Sequence, residues 1–300
     1  MFPTKLDNNE EYNFYHWQFF KNHLNVTTAF IEKNYIIKMH EQEFYEVNVI
    51  VKGNGMHYIK DNKIPAKVGD IFIIPPHVPH GYVGSKGFDV YHLLLSDDFF
   101  NKHYTDLQQL PSFHTLFNAE PLMRSSVDNP LHLSLNESQF KYANSILNEI
   151  LKFQDNFNPY HCLNCTYLSM YLITYFCQVY SLNFNQSKNL SQDHAFMNTI
   201  SYVHKHYHEK ITLNTLVKMS NMSRSSYINK FKQICKMPPL TYLIKIRLDA
   251  AENLLLNTEL PIMEIAFRTG FYDCAHFTKV FIAEKGLSPV QYKKAKRNKA

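Results

Sequence analysis

Ile211-Thr-Leu-Asn-Thr-Leu-Val-Lys-Met-Ser-Asn-Met-Ser-Arg-Ser-Ser-Tyr-Ile-Asn-Lys-Phe231 and Ile262-Met-Glu-Ile-Ala-Phe-Arg-Thr-Gly-Phe-Tyr-Asp-Cys-Ala-His-Phe-Thr-Lys-Val-Phe281 are two copies of one pattern. Each reads as a short amphipathic helix, a tight turn and a second helix with aromatics on its inner side. Phe231 and Phe281 are equivalent and 50 positions apart, so the stretch is an internal repeat. In the first copy Thr212 and Ser223 are expected to cap the two helices. Tyr227, Phe231 and Ile234 or Cys235 then fall on one side, which leaves Arg224, Ser225, Ile228, Asn229 and Lys232 on the other. In the second copy Phe271, Phe277, Val280 and Phe281 are inner, and Cys274, Ala275, Thr278 and Lys279 are outer. Pro261 is placed at the first helical position and Gly270 at the turn. Leu240–Leu256 reads as a connecting helix of about 25 Å. Two polar, partly basic helix faces held apart by a rod suit the edges of a DNA duplex.

The charge distribution agrees. Residues 194–300 hold 17 Lys+Arg against 7 Asp+Glu, whereas residues 1–193 hold 14 against 19. A basic back half joined to an acidic front half points to a polyanionic partner for the back half. Five cysteines in 300 residues do not make a disulfide framework. No apolar run approaches the ~20 residues that cross a bilayer, and the N-terminus is too polar for a secretory signal. A cytoplasmic location without membrane partners is the expectation.

The front half has a different rhythm. Residues 1–20, with Trp17, read as an arm. Short alternating segments follow from about Thr27 to Ser96, broken at Gly53-Asn-Gly55, Asp61-Asn62, Gly69-Asp70, Pro75-Pro76 and Gly84, which indicates a sandwich or small barrel. Residues 99–135 read as irregular. Helical spacing returns over Glu137–Asp155, capped by Asn136 or Ser134, and over Tyr160–Ser181. Cys162 and Cys165, lone and within a helix, read as packing. Polar residues 183–193 read as a linker. His204 and His208, four apart with no third ligand, read as an exposed pair.

Two resemblances emerge. Arg247-Leu-x-x-Ala-x-x-Leu-Leu, Ile262-x-x-Ile-Ala-Phe-x-x-Gly-Phe-x-Asp, His276-Phe-x-Lys-x-Phe and Gly286-x-Ser-Pro-x-x-Tyr resemble the signature of the AraC/XylS transcription regulators. Val217, Lys279 and Ile282 depart from its usual Ala, Arg and Lys. In the front half, His40-x-Gln42-x-Phe44-x-Glu46, Gly69-Asp-Ile-Phe-Ile-Ile-Pro-Pro76 and His80-x-Tyr82 resemble the cupin-type sensor domain of that family. Period two would put 40, 42, 44 and 46 on one strand face. The resemblance implies an α+β multidomain chain, with a cupin-like β-barrel and trailing helices followed by an all-α double helix-turn-helix domain. The expected boundaries are 1–135, 136–182 for dimerisation or docking, linker 183–193, and 194–300.

The implied function is sequence-specific binding of double-stranded DNA under control of a small-molecule effector. Activation is the commoner family behaviour. RNA polymerase and a second copy of the chain are further expected partners. In metal-binding cupins a His-x-His, a Glu and a later His converge. Gln42 replaces one histidine here, so His40, Glu46 and His80 are expected to line an effector pocket, with no metal or other cofactor. Sugar-responsive members imply Lys38, Tyr82 and His92 as further pocket positions, and so a sugar as one effector class. The competing reading is a metal-dependent cupin enzyme with an accessory DNA-binding module.

Overall fold

The computed structural model describes residues 13–15, 27–32, 36–59, 62–110, 112–124, 132–154, 158–186 and 192–297. The rest of the expected arm, with Trp17, lies outside them, as do residues 187–191 of the expected linker. Two compact units make up the chain, Met1–Lys188 and Asn189–Ala300.

The first unit carries ten strands: β1 (Asn13–Tyr15), β2 (Thr27–Glu32), β3 (Ile36–Gln42), β4 (Tyr45–Lys52), β5 (Asn54–Ile59), β6 (Asn62–Lys67), β7 (Asp70–Ile74), β8 (His80–Gly84), β9 (Asp89–Leu95) and β10 (Leu133–Ser134). They form two five-stranded sheets, ordered β1-β3-β8-β5-β6 and β10-β7-β4-β9-β2. All pairings are antiparallel except β1 with β3. The sheets share a core of Ile37, Ile59, Ile64 and Tyr82 from one and Ile50, Phe72, Ile74 and Val90 from the other. Among the described residues no strand pairing joins the sheets, so the expected barrel is realised as a sandwich. Strand β6 keeps the period of two, with Ile64 and Ala66 buried and Lys63, Pro65 and Lys67 exposed; as the edge strand, it has no outer neighbour needing the N–H that Pro65 lacks.

Strands β4 and β9 are buried on both faces, so simple alternation is lost. Their outer face meets two helices, α3 (Glu137–Gln154) and α4 (Pro159–Gln186), where Tyr91 Oη donates to Leu147 O at 3.1 Å. Asn136 caps α3, its Oδ1 accepting from Gln139 N at 2.9 Å. Residues 99–135, expected to be irregular, include α1 (Asp97–Leu107), a π-helical turn at Thr115–Ala119 and α2 (Glu120–Arg124). Ser96 starts α1 by accepting from Phe99 N through Oγ at 3.2 Å. Of the linker expected over 183–193, residues 183–186 belong to α4 and residues 192–193 to the next helix.

The second unit is helical: α5 (Gln192–His206), α6 (Leu213–Ser220), α7 (Arg224–Cys235), α8 (Pro239–Asn257), α9 (Ile262–Arg268), α10 (Cys274–Lys285) and α11 (Pro289–Arg297). The repeat is carried through packing. Tyr227, Phe231 and Tyr242 recur as Phe277, Phe281 and Tyr292, in edge-on or tilted ring contacts within each copy. Buried Ser220 and Thr269 close their helices by donating to Val217 O and Ile265 O. Asn221 and Gly270 follow at φ +54° and +87°, the left-handed turn each copy needs. Pro261 precedes α9 as its N-cap, one position before the expected place. His204 is buried against Tyr242 Oη at 2.8 Å and is therefore not half of an exposed pair.

Candidate functional site

Helices α7 and α10 present the outer faces read from the sequence. Thr212 Oγ1 and Ser223 Oγ cap α6 and α7 by accepting from Thr215 N and Ser226 N at 3.1 and 3.2 Å. Asp273 caps α10 through Ala275 N and His276 N. These caps fix where each second helix starts, and Tyr227, Phe231, Phe277 and Phe281, fully buried, fix its rotation. Arg224, Ser225, Asn229 and Lys232 are consequently exposed on α7, and Ala275 and Lys279 on α10. Ile228, Cys274 and Thr278 are half-buried at the margins of the same faces. Lys230 turns away, pairing with Asp193.

One residue spans the two copies. Arg247 on α8 donates from Nε to Tyr207 O at 2.7 Å and from Nη2 to Glu209 O at 2.8 Å. Its guanidinium also lies over the Phe271 ring at 5.8 Å. The loop after α5, the connecting helix and the turn of the second copy thus meet at one side chain.

The first unit holds a different kind of site inside its sandwich. Cross-strand register builds it. His40 lies opposite His80 on the β3·β8 pair, His57 opposite Tyr82 on β5·β8, and Asn48 opposite His92 on β4·β9. Glu46, two positions before Asn48, points the same way. Glu46 Oε1 takes the Nδ1–H of His92, and Oε2 lies 3.1 Å from His80 Nε2 and 3.9 Å from His40 Nε2. The His40 and His80 rings are 4.2 Å apart. Asn48 Nδ2 donates to Tyr82 Oη at 3.1 Å, and His57 stacks on the Tyr82 ring at 4.6 Å. All seven groups, and Gln42 with them, are buried.

Such burial is costly for polar groups, and the titration behaviour reflects it. Desolvation alone would push the Glu46 carboxyl up; His92, His80 and the hydrogen bond from His40 outweigh it and hold the group well below the usual carboxylate range. Burial, then the nearby Arg124, push His57 well below the ordinary imidazole value. Burial also raises the Tyr82 hydroxyl, which stays neutral. Both amide atoms of Gln42, the Asn48 Oδ1 and both ring nitrogens of His57 lack a protein hydrogen-bond partner among the described residues.

Of the expected pocket positions, His40, Glu46, His80, Tyr82 and His92 converge. Lys38 does not: it is exposed. A register shift between Ile37 and His40 inserts a bulge, so Ile37 and His40 both point inward and Lys38 is turned out. Gly81 sits against that bulge, where an added Cβ would come within 2.7 Å of Ile37 O. Positions 40 to 46 also do not share one strand. Residues 43 and 44 bend the chain, so His40 and Gln42 belong to one sheet and Glu46 to the other. His57 and Asn48 were not singled out from sequence, although their alternation with Ile59 and Ile50 carries the signal.

Two family models match the chain: an AraC-like ligand binding domain over residues 27–149 and a helix-turn-helix domain over residues 216–295. The HTH-type transcriptional regulator YdeC of Bacillus subtilis is 25% identical over 265 residues, spanning 87% of each chain. The HTH-type transcriptional activator RhaS of Enterobacter sp. is 22% identical over 253 residues, 83% of this chain and 85% of its own. Among solved structures, the DNA-binding domain of AdpA in complex with a target DNA is 28% identical and covers 35% of this chain and 95% of that one, with a TM-score of 0.34.

Proposed function

The chain belongs to the AraC/XylS family of DNA-binding transcription regulators, and from that premise we propose that it is an activator switched by a small hydroxyl-rich effector, of the sugar class, held inside its first unit. The observation that carries this reading is the fully buried polar lining of the sandwich. A protein interior tolerates such groups only when something satisfies them. Gln42, Asn48 and His57 offer neutral donors and acceptors, and Tyr82 offers ring surface, which is the chemistry that holds a polyol. His40, Glu46, His80, Tyr82 and His92 complete the effector positions.

At the DNA end, Arg224, Ser225, Ile228, Asn229, Lys232, Cys274, Ala275, Thr278 and Lys279 are assigned to the duplex. Lysines anchor phosphates, while Ser225, Asn229 and Thr278 reach base edges in successive major grooves roughly 34 Å apart. A homodimer is supported by an apolar stripe on α4: Tyr160, Leu163, Tyr167 and Tyr171 are about half exposed or more. RNA polymerase is the partner that activation requires. The enzyme reading has no such support, since the relatives matched over most of their length carry the names of transcription regulators.

Two measurements test this. Duplexes selected by the full chain from a random pool are used in mobility shifts with Asn229→Ala and Lys279→Ala. Asn229→Ala is expected to cost roughly 1–3 kcal/mol and relax base preference, and Lys279→Ala to weaken all sequences alike. Unchanged binding by both removes the assigned faces. A thermal-shift screen of sugars and polyols against wild type and Tyr82→Phe tests the effector class. The absence of any stabilising sugar removes that class.

A further inference from the structure

The first unit buries one arginine whose donors are only partly spent. Arg124 ends α2 and is 1% exposed; no lysine and no other arginine is buried among the described residues. A guanidinium carries five N–H donors and no acceptor. Three are used: Nε donates to Glu120 Oε1 at 2.9 Å, and Nη2 donates to Glu120 Oε2 and, at 2.9 Å, to Ile73 O. The two on Nη1 meet no acceptor among the described residues. Unmatched donors on a buried cation cost more than unmatched neutral ones.

The packing of α2 turns this group inward. Arg124 Nη2 is bonded to Ile73 O on β7 of one sheet, and Arg124 O lies 3.5 Å from Asn62 Nδ2 on β6, the edge strand of the other. From the seam between the sheets the guanidinium reaches over the ring of Phe72, 5.4 Å from its centre, and Phe72 belongs to the shared core. His57 stands 4.4 Å from the same ring and His132 4.7 Å. His57 is 0% exposed, and both its ring nitrogens lack a partner among the described residues. As a neutral ring it offers one N–H. It stacks on Tyr82, which in turn accepts from Asn48. Arg124, His57, Tyr82 and Asn48 therefore form one run, cationic at one end and neutral and polar at the other.

We propose that Arg124 Nη1 and the His57 ring bind a carboxylate of the effector, which makes the effector a sugar acid, uronic or aldonic, and not a neutral sugar. This rests on the sugar reading and narrows it: Gln42, Asn48 and Tyr82 meet the hydroxyls, and Arg124 meets the acid. Bonds from a guanidinium to a carboxylate are roughly twice as strong as those to a neutral acceptor, and the difference grows where water is excluded. A single negative charge fits better than a phosphate. Glu120 already holds one edge of the guanidinium, and Glu46 lies in the same interior, so one unspent nitrogen is too little positive charge for a dianion. The surroundings of His57 agree. After burial, the charges of Arg124, His80 and His132 push its ring below the ordinary imidazole value, and Glu46 opposes them. An anion entering beside His57 meets a mostly positive field.

The test is titration calorimetry of the full chain at constant ionic strength with matched pairs: pentoses, hexoses and alditols, each beside the sodium salt of the uronic or aldonic acid of the same skeleton. Sodium acetate and sodium chloride are the controls for a bare anion. The acid of a binding pair should bind roughly ten- to a hundredfold tighter than its neutral partner. Arg124→Lys keeps a cation for Glu120 but removes Nη1, and should narrow that preference to within a few-fold. His57→Phe should narrow it as well, and serves as the readout if Arg124→Lys fails to fold. Lys38→Ala, which removes an exposed lysine, should leave it unchanged. Neutral sugars that bind as well as their acids overturn the proposal and leave the sugar reading standing. Silence from both halves of every pair removes the two together. A preference for acids that persists in Arg124→Lys and His57→Phe, or disappears in Lys38→Ala, places the carboxylate elsewhere and overturns the subsite. Acetate or chloride binding as tightly as the sugar acids overturns it too, because the anion would then need no polyol.

Discussion

Two glycines of the helical unit offer a matched pair of perturbations. Gly270 and Gly286 both lie in the left-handed region, at φ +87° and +74°. An added Cβ at Gly286 meets nothing within 4 Å, so Gly286→Ala should cost only the conformational penalty of about 1 kcal/mol. At Gly270 the same Cβ would lie 2.8 Å from Tyr207 O, 2.9 Å from Arg247 Nε and 2.9 Å from His208 Cα. Two of those atoms are backbone, and the third is held by its own bond to Tyr207 O. Overpacking there adds about 1–3 kcal/mol, for a total of about 2–4 kcal/mol. At roughly 4 °C per kcal/mol for a domain of this size, the helical unit should melt about 4 °C lower in Gly286→Ala and about 8–16 °C lower in Gly270→Ala. Calorimetry of the full chain measures both. Gly270→Ala should also lose DNA affinity at temperatures where it remains folded, because the turn it displaces sets the start of α10. Equal melting losses in the two variants would refute the close approach of the second turn to the loop after α5.

Three further outcomes follow from the same geometry. Arg247→Ala removes the donors to Tyr207 O and Glu209 O, so it should cost about 2 kcal/mol. In mobility shifts it should weaken binding to a two-groove site more than to half of that site; equal loss on both would show that Arg247 does not align the copies. Asp70 accepts from Lys67 N at 2.9 Å and Ser134 Oγ at 2.6 Å, with His132 alongside; burial works against these contacts, which nonetheless lower its pKa. A depressed carboxylate stabilises above its unfolded value and loses that contribution as pH falls through the folded one. Urea melts should therefore show an acid-side fall that Asp70→Asn flattens, with a cost of about 1–3 kcal/mol at neutral pH; an unchanged slope would sink the assignment. The full chain should sediment as a dimer and the double variant Leu163→Asp, Tyr167→Asp as a monomer, and a mass that does not differ between them would remove the α4 stripe as the interface.

The helical unit was legible because its signals are local. Caps at Thr212 and Ser223, aromatics at i and i+4 and a turn residue before each second helix all fall within one repeat, and burial leaves the outer faces where the spacing put them. The sandwich was less so. Its interior depends on register, which period two predicts only for an unbroken strand. One bulge at residues 38–39 moved Lys38 out, and one bend at residues 43–44 put Glu46 in the sheet facing His40. His57 is a nonlocal discovery of the same kind: nothing within Met56-His-Tyr-Ile59 says that Tyr82 will lie beside it.

The same interior explains why ligand binding and folding should be read together in this protein. Each buried polar atom without a partner costs about 1–3 kcal/mol, a large share of the 5–15 kcal/mol that holds an ordinary domain together. Gln42, Asn48 and His57 are such groups in the first unit, whereas the second unit's inner face is built from rings whose hydroxyls find partners, as in Tyr227 to Thr199 Oγ1 at 3.0 Å. The burden therefore falls on the sensing unit. A ligand that satisfies these atoms stabilises that unit by mass action, about 2.7 kcal/mol at a hundredfold excess over Kd. Replacing His57 with Phe should raise the melting temperature of the ligand-free chain and reduce the shift an effector produces. If His57→Phe instead lowers stability without any effector, the ring nitrogens have partners after all, and the interior is a finished core rather than a site awaiting its occupant.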